Sequence, residues 1–410
     1  SISHVLIKEM SKEKIIHVCD GIIEWCFYLL LVAVTFSTSI VEIAAITMIF
    51  AWLVKKATDR DLKFFNLIPV RLITAVFLWT ILSCFNSEYF NESFRGILKV
   101  LEYSLIFIIA ATSLGKEAIV KRSFIVIIAA AVLACVNGIF QYFSGYDFIR
   151  HRELIKKDYL HRISSSFIHP NDFGVYLLVV SVIFIAFFLS QRNRLRNRFL
   201  LVVPLALSMV SLFLTKSRGA WISFSAAFLA LGAMKAKRVL AAFIVILLVL
   251  FVMLPYTAQE RIFSLTDFKE GTTWERIMLW KGTINMIKEH PILGFGANTY
   301  SRNFPKYRPP EYPDARYSHN SYLQMASEIG IVGAFLFLTF LVTALIYSLA
   351  GIRGMAIGMR RDLATGLFAG MVGFSFNCLV DTHLQSVNLA VLFHLLLGFC
   401  FALSYNAQKE

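Results

Sequence analysis

The sequence predicts an all-α polytopic membrane protein, a single transmembrane domain over residues 1–410 with about 12 transmembrane helices. Three observations predict it. Hydrophobic residues make up 58% of the chain and charged residues 16%, with mean hydropathy +0.67, more apolar surface than a soluble domain of this length can bury. Windows of about 20 apolar residues, the length that crosses a hydrocarbon core as a helix, recur along the chain. Finally, Lys and Arg are dense in every second connection between those windows.

The windows lie near 20–37, 38–54, 66–84, 96–114, 123–144, 171–190, 199–215, 219–234, 239–256, 324–350, 362–380 and 388–405. The first runs straight into the second and has no small-residue cleavage site, so it reads as a membrane helix and not as a removed signal peptide. The cysteines at 19, 26, 84, 135, 378 and 400 fall in or beside these windows. That placement makes them small apolar fillers and indicates neither a disulfide framework nor a Cys-ligated metal.

Orientation follows from the basic connections. "KKATDRDLK", "GKEAIVKR", "QRNRLRNR", "KAKR" and "GIRGMAIGMRR" mark the cytoplasmic side under the positive-inside rule, which puts both termini inside. The segment 257–323, between the ninth and tenth windows, then becomes one large external loop. It holds nine bases against seven acids, and a net charge of +14 on the whole chain leaves a basic surface on that outer face. An anionic ligand suits such a surface; a solvated, salt-bridged loop suits it equally. No nucleic-acid motif is present, and no internal repeat suggests an inverted-repeat transporter.

Within the loop, Ile277, Trp280, Ile284 and Ile287 recur at helical spacing as one stripe of a helix, which lies along the membrane surface or caps the bundle. Pro291 stops it, and Gly294 and Gly296 supply the turn that follows.

Three polar clusters adjoin span ends on the outer side: "SSSFIHPNDFG", "LTKSRGAW" and "YSHNSYLQ". In the first, Asn171 or Asp172 reads as the cap of the sixth span. The second reads as a tight turn whose bases reach lipid phosphates. In the third, Ser321 and Gln324 fit a capping box, which accounts for the serine and leaves His319 over. A histidine just ahead of a helix start faces the positive end of the helix dipole, so a neutral imidazole able to take a proton suits the position, as a general base requires. No second histidine or acid stands at ligand spacing, so no metal site is expected.

On these residues the chain resembles the O-antigen ligase and polymerase superfamily of bacterial envelopes. "SRGAW" at 217–221, "WERIMLWKGTINMIKEHPILGFG" at 274–296, and His319-Asn320 followed after nine residues by Gly330-x-x-Gly333 carry the resemblance. It implies a GT-C-like, metal-independent, inverting glycosyltransferase without cofactor. Its home is the bacterial inner (cytoplasmic) membrane, with the active site and the 257–323 loop periplasmic. The donor would be an undecaprenyl-diphosphate-linked glycan. The acceptor would be a lipid A-core sugar for a ligase of lipopolysaccharide biosynthesis, or another lipid-linked glycan for a polymerase. Carried over by motif, His319 is the base and Arg218 and Arg276 hold the diphosphate.

Arginine forks can stabilise a departing diphosphate where no cation does. Lys216, Asn320, Arg302, Arg308 and Arg316 are further candidates for binding diphosphate or glycan, with solvation the competing account for the bases. His169 and Asn171 fit a family-like "HPN" turn. Asp381 and His383, in "DTH", either line the acceptor cavity, orient His319, or form a structural pair with each other, the last being the expected case. A transporter of lipid-linked glycan is the alternative from another class. It would place paired charges at mid-membrane, whereas here the unusual polar residues gather at one face.

Overall fold

The computed structural model describes residues 2–153, 162–190, 195–235, 271–309 and 317–406. The described residues are predominantly helical, and the strands among them are one two-residue hairpin, Tyr146–Asp147 with Arg152–Glu153. The helices are α1 (Ile2–Ala33), α2 (Thr38–Asp59), α3 (Ile68–Ser83), α4 (Phe90–Ser113), α5 (Glu117–Ser144), α6 (Pro170–Phe188), α7 (Leu195–Leu214), α8 (Arg218–Lys235), α9 (Gly271–Glu289), α10 (Ser321–Gly354), α11 (Met359–Asn377) and α12 (Val387–Asn406). Eight helices among the described residues are long and apolar enough to cross a membrane. Helices α7, α8 and α11 match expected spans but are shorter or more polar. The window 239–256 and loop residues 257–270 lie outside the described residues.

Helix α2 shows why a bilayer suits this fold. Val41, Ala44, Ala45, Met48, Ala51 and Trp52 are buried, yet Ile43, Ile46, Phe50 and Leu53, spaced as one stripe, are exposed. A helix apolar on both faces has no water-facing side. All six cysteines are buried and free, as the fillers they were read to be.

Helix α11 packs against α6 and α8, and α12 against α4. Lipid supplies little hydrophobic drive between helices, so close approach of small residues matters most. A Cβ added at Gly373 would stand 2.7 Å from Ala227 Cβ, and one at Gly174 2.8 Å from Ala220 Cβ, so α8 meets both α11 and α6 nearly backbone to backbone. The chain crosses back and forth such that α6, α8 and α10 begin, and α7 and α11 end, at one end of the bundle. The basic residues Lys55, Lys116, Arg122, Lys235, Arg353 and Arg361 lie at the other.

Helix α9 stops at Glu289 before Pro291, as expected, and its buried face is rotated from the stripe of Ile277, Trp280, Ile284 and Ile287. Leu279, Thr283 and Met286 are buried while Ile284 is 41% exposed. The hidden face packs on Phe295, Tyr300 and Phe304 of the chain that follows, and Thr283 Oγ1 and the Tyr300 hydroxyl lie 2.9 Å apart. The partner surface is supplied by the loop's own aromatic residues, which periodicity within α9 does not reveal.

The same loop is strapped to α10. At Ile329–Gly330 the helix leaves helical geometry, and the freed backbone groups find partners in the loop. Phe295 N donates to Ser327 O, Gly296 N to Glu328 O, and Ile331 N to Pro291 O, at 3.0, 2.8 and 2.8 Å. Trp79 Nε1 donates to Ile329 O at 2.9 Å. Gly330 has φ +74, and a Cβ there would lie 1.8 Å from Ile292 O, so only glycine fits. Of the two motif glycines, Gly333 packs closely against Ile329 and Trp79, whereas Gly330 marks a break.

Candidate active site

The first turns of α6, α8 and α10 and the α11–α12 connection converge at one end of the bundle. His169 is the extended N-cap residue of α6 and Pro170 its N1 residue, a position that costs the helix no hydrogen bond. The exposed His169 side chain makes no cap bond. Contrary to expectation, neither Asn171 nor Asp172 caps α6; both reach across to other elements. Asn171 Nδ2 donates to Asp381 Oδ2 at 2.8 Å, and its Oδ1 accepts from Arg162 Nη2 at 2.9 Å. Arg162 Nε in turn donates to Thr215 O, at the end of α7, at 2.8 Å.

The start of α10 is also capped differently from the expected box. Asn320 is the N-cap, its side chain accepting from Tyr322 N and Leu323 N. Gln324 Oε1 instead accepts from Ser318 N at 3.1 Å. Ser321 Oγ donates to Asp381 O at 3.0 Å, tying the helix start to the α11–α12 connection. His319 is pinched between these anchors with φ +51, a left-handed conformation that costs about 1 kcal/mol or more in a residue with a Cβ. Lys216, just ahead of α8, has φ +49.

The pinched backbone sets His319 Nδ1 3.0 Å from Asp381 Oδ1, with the imidazole 44% and the carboxylate 13% exposed. Thr382 N donates to the same oxygen at 2.9 Å, so each Asp381 oxygen is engaged. Burial opposes ionisation of Asp381, but the hydrogen bond from His319 and the charges of His383 and Arg276 prevail and hold it well below the usual carboxylate range. An ionised carboxylate accepts from Nδ1–H, leaving Nε2 of His319 as the proton acceptor.

Asp381 and His383 do not pair with each other as expected. His383 Nδ1 faces Asp172 Oδ1 at 3.1 Å and its Nε2 faces Asn377 Oδ1 at 2.7 Å. Asn377 Nδ2 donates to Ser223 Oγ of α8 at 2.9 Å, which fixes its oxygen toward the ring. With an acceptor on each nitrogen, the imidazolium satisfies both. Burial disfavours that charge, and Arg276 does too, but Asp172 and Asp381 outweigh them and raise the His383 pKa.

Arg218 is the exposed first residue of α8, and a Cβ on its neighbour Gly219 would lie 3.3 Å from Val380 Cγ2, which sets the "SRG" turn against the segment bearing Asp381. Arg276, half-buried on α9, is close enough to Asp381 and His383 for its charge to act on both. The structure thus gathers His319, Asp381, Asn171, His383, Arg218 and Arg276 from five separated stretches. Arg302 is directed elsewhere, to Glu92 of α4 at 2.9 Å, and Arg308 is half-buried beyond the turn at 304–306. Arg316 lies outside the described residues. Sequence reasoning missed Arg162 and Asn377; a lone asparagine within an apolar span was a signal for the second, and the first had none.

A cavity between α3, α4 and α10 adjoins the site, lined by Val76, Lys99, Tyr317, Gln324, Glu328 and Gln385 among others. Tyr317 and Gln385 each stand two residues from a site histidine.

Residues 203–338 match the family model described as O-antigen ligase. The superfamily resemblance read from the sequence is borne out. The matched segment runs from α7 into α10 and includes Arg218, Arg276 and His319. The residues that hold the histidine, Asp381 and Asn171, lie on either side of it. No curated protein matches the chain.

Proposed function

We propose that this chain is a glycosyltransferase of the O-antigen ligase type. It transfers a glycan from undecaprenyl diphosphate to a lipid A-core sugar hydroxyl at the periplasmic face of the inner membrane, with inversion and without a metal. The observation that carries the proposal is the His319–Asp381 pair set among three helix N-termini and beside Arg218 and Arg276.

In this reading the acceptor hydroxyl gives its proton to His319 Nε2 as its oxygen attacks the anomeric carbon. The bond from that carbon to the phosphate oxygen breaks, and the electron pair leaves with undecaprenyl diphosphate. Asp381 holds the imidazole and stabilises the imidazolium that forms. Arg218, Arg276 and the helix N-termini meet the growing negative charge. The site carboxylates Asp381 and Asp172 are each committed to a histidine, which supports charge neutralisation by arginine. The cavity beside the histidine supports a lipid-anchored substrate.

The complete His-Asn, nine-residue, Gly-x-x-Gly motif favours ligase over polymerase. Purified protein offered lipid-linked glycan and either lipid A-core or lipid-linked repeat units tests both points. Transfer to lipid A-core, lost in His319→Ala and unaffected by chelator, is expected. Transfer that survives His319→Ala refutes the assigned base, exclusive use of lipid-linked acceptor makes the chain a polymerase, and activity restored by a divalent ion after chelation refutes the metal-free reading.

A further inference from the structure

At the end of the bundle away from His319, a second cavity of about 230 Å³ opens among the C-terminal ends of α8 and α10 and the first turn of α11. Lys235, Arg353, Arg361 and Asp362 bring charge to its lining, while Leu189, Met234, Ile352 and Ile357 bring apolar surface. Asp362 is already committed: Lys235 Nζ donates to its Oδ1 and to Ala186 O, in a pair with only 13% and 8% side-chain exposure. Arg353 and Arg361 meet no carboxylate among the described residues, and Arg361 adds its charge to that facing Lys235. Among the described residues the cavity therefore presents two guanidinium groups without a counter-charge over a neutralised floor.

Its depth in a bilayer follows from the helices that reach it. Helices α8 and α11, of 18 and 19 residues, run from the histidine site to this cavity. At 1.5 Å per residue they are about 27 and 28 Å long, close to the roughly 30 Å of a hydrocarbon core. When one end of these helices lies at one headgroup layer, the cavity lies at the other. Isolated bases at span ends only snorkel; here two forks share a concave site with apolar walls and room for a group several waters in size.

We infer that this cavity is a binding site for a phosphate-bearing anion, held by Arg353 and Arg361, with the phosphodiester headgroup of an anionic phospholipid or a soluble phosphate compound as its source. Guanidinium forks bind phosphate oxygens in pairs, and the apolar lining gives the first carbons of an acyl chain a surface. The inference is independent of the transferase reading.

Native mass spectrometry of the full chain from nanodiscs of phosphatidylglycerol or phosphatidylcholine, with inorganic phosphate titrated in detergent as a second arm, tests it. Wild type is expected to retain phosphatidylglycerol over phosphatidylcholine, or to bind phosphate saturably, and Arg353→Gln/Arg361→Gln to lose that binding by about thirtyfold. Arg302→Gln/Lys306→Gln, the same charge removed at the opposite end, is expected to leave it intact. Retention of the lipid alone identifies a headgroup; binding of free phosphate identifies a soluble ligand. If the double variant does not fold, Arg353→Lys/Arg361→Lys and the single glutamine variants carry the test, with partial losses expected. Binding of neither probe, or binding equal in wild type and the Arg353 and Arg361 variants, overturns the site.

Discussion

Replacing Asp381 by Asn changes one atom of the proposed site and has consequences at each of its bonds. Oδ1 accepts from His319 Nδ1 and Thr382 N, and Oδ2 accepts from Asn171 Nδ2. If the new amide keeps its oxygen toward His319, its NH2 faces the NH2 of Asn171, which cannot turn without facing its own NH2 to Arg162. If the amide turns the other way, it donates to Nδ1 and drives the imidazole proton to Nε2, the nitrogen that must accept. Either outcome removes the base or its support, and a positioned base contributes about 10² to 10⁴ in rate. We expect kcat for Asp381→Asn to fall by that factor, about 3 to 5 kcal/mol of transition-state stabilisation.

Folding should be largely spared, because the Asp381 carbonyl that receives Ser321 N and Oγ is unchanged. The assay is glycan transfer by purified protein in liposomes, with kcat and KM separated and thermal melting in parallel. A variant that melts like wild type and retains kcat within about threefold would refute the positioning role of Asp381.

The remaining predictions concern other contacts of the site. His383 has a raised pKa in the folded chain, so the stability it contributes is fully present below the unfolded value of about 6.5 and is lost as pH rises through the folded value. Melting temperatures measured across that window should show a fall in wild type that is absent in His383→Gln. Gly330→Ala should destabilise by about 3 kcal/mol or more, since its Cβ meets Ile292 O at φ +74. Gly333→Ala, against the movable side chain of Ile329, should cost about 1 to 2 kcal/mol; chemical denaturation compares the two. Arg276→Lys and Arg218→Lys replace a fork by a point charge. Each should lower kcat/KM for the lipid diphosphate donor by roughly ten- to a hundredfold, and wild-type kinetics in either would remove that arginine from the diphosphate.

Much of this arrangement is legible in the sequence because it depends on local chemistry. Pro170 and the "SRG" turn start helices where their residue types require, Pro291 follows a helix that ends at Glu289, and His319 stands out as unexplained by capping. What is not legible depends on chain segments meeting at a distance. Asp381 lies 62 residues beyond His319, and "DTH" alone suggests an internal pair; only packing of α11 on α6 and α8 separates its two members. The inward face of α9 is decided by Phe295, Tyr300 and Phe304, which lie outside the helix. The capping atom at α10 moves from Ser321 to Asn320 because Ser321 already lies inside the helix, after the extended Asn320, and its hydroxyl turns to Asp381 O. The need for glycine at 330 shows only once the loop carbonyl of Ile292 is placed against it.

The interruption of α10 separates two mechanical tasks. Residues 331–354 must match whatever thickness of hydrocarbon surrounds them, and a helix does so by tilting. Residues 321–328 are fastened by backbone hydrogen bonds to the 291–296 loop and by Ser321 to Asp381, and Ile331 N is held by Pro291 O, so we expect the tilt to be taken up at and beyond the clamped joint at Ile329–Gly330 before it reaches His319. The imidazole would thereby be referenced to the loop and insulated from bilayer thickness. Transfer rates in vesicles of short and long acyl chains should then differ little, and a steep dependence on chain length would show the joint to be rigid.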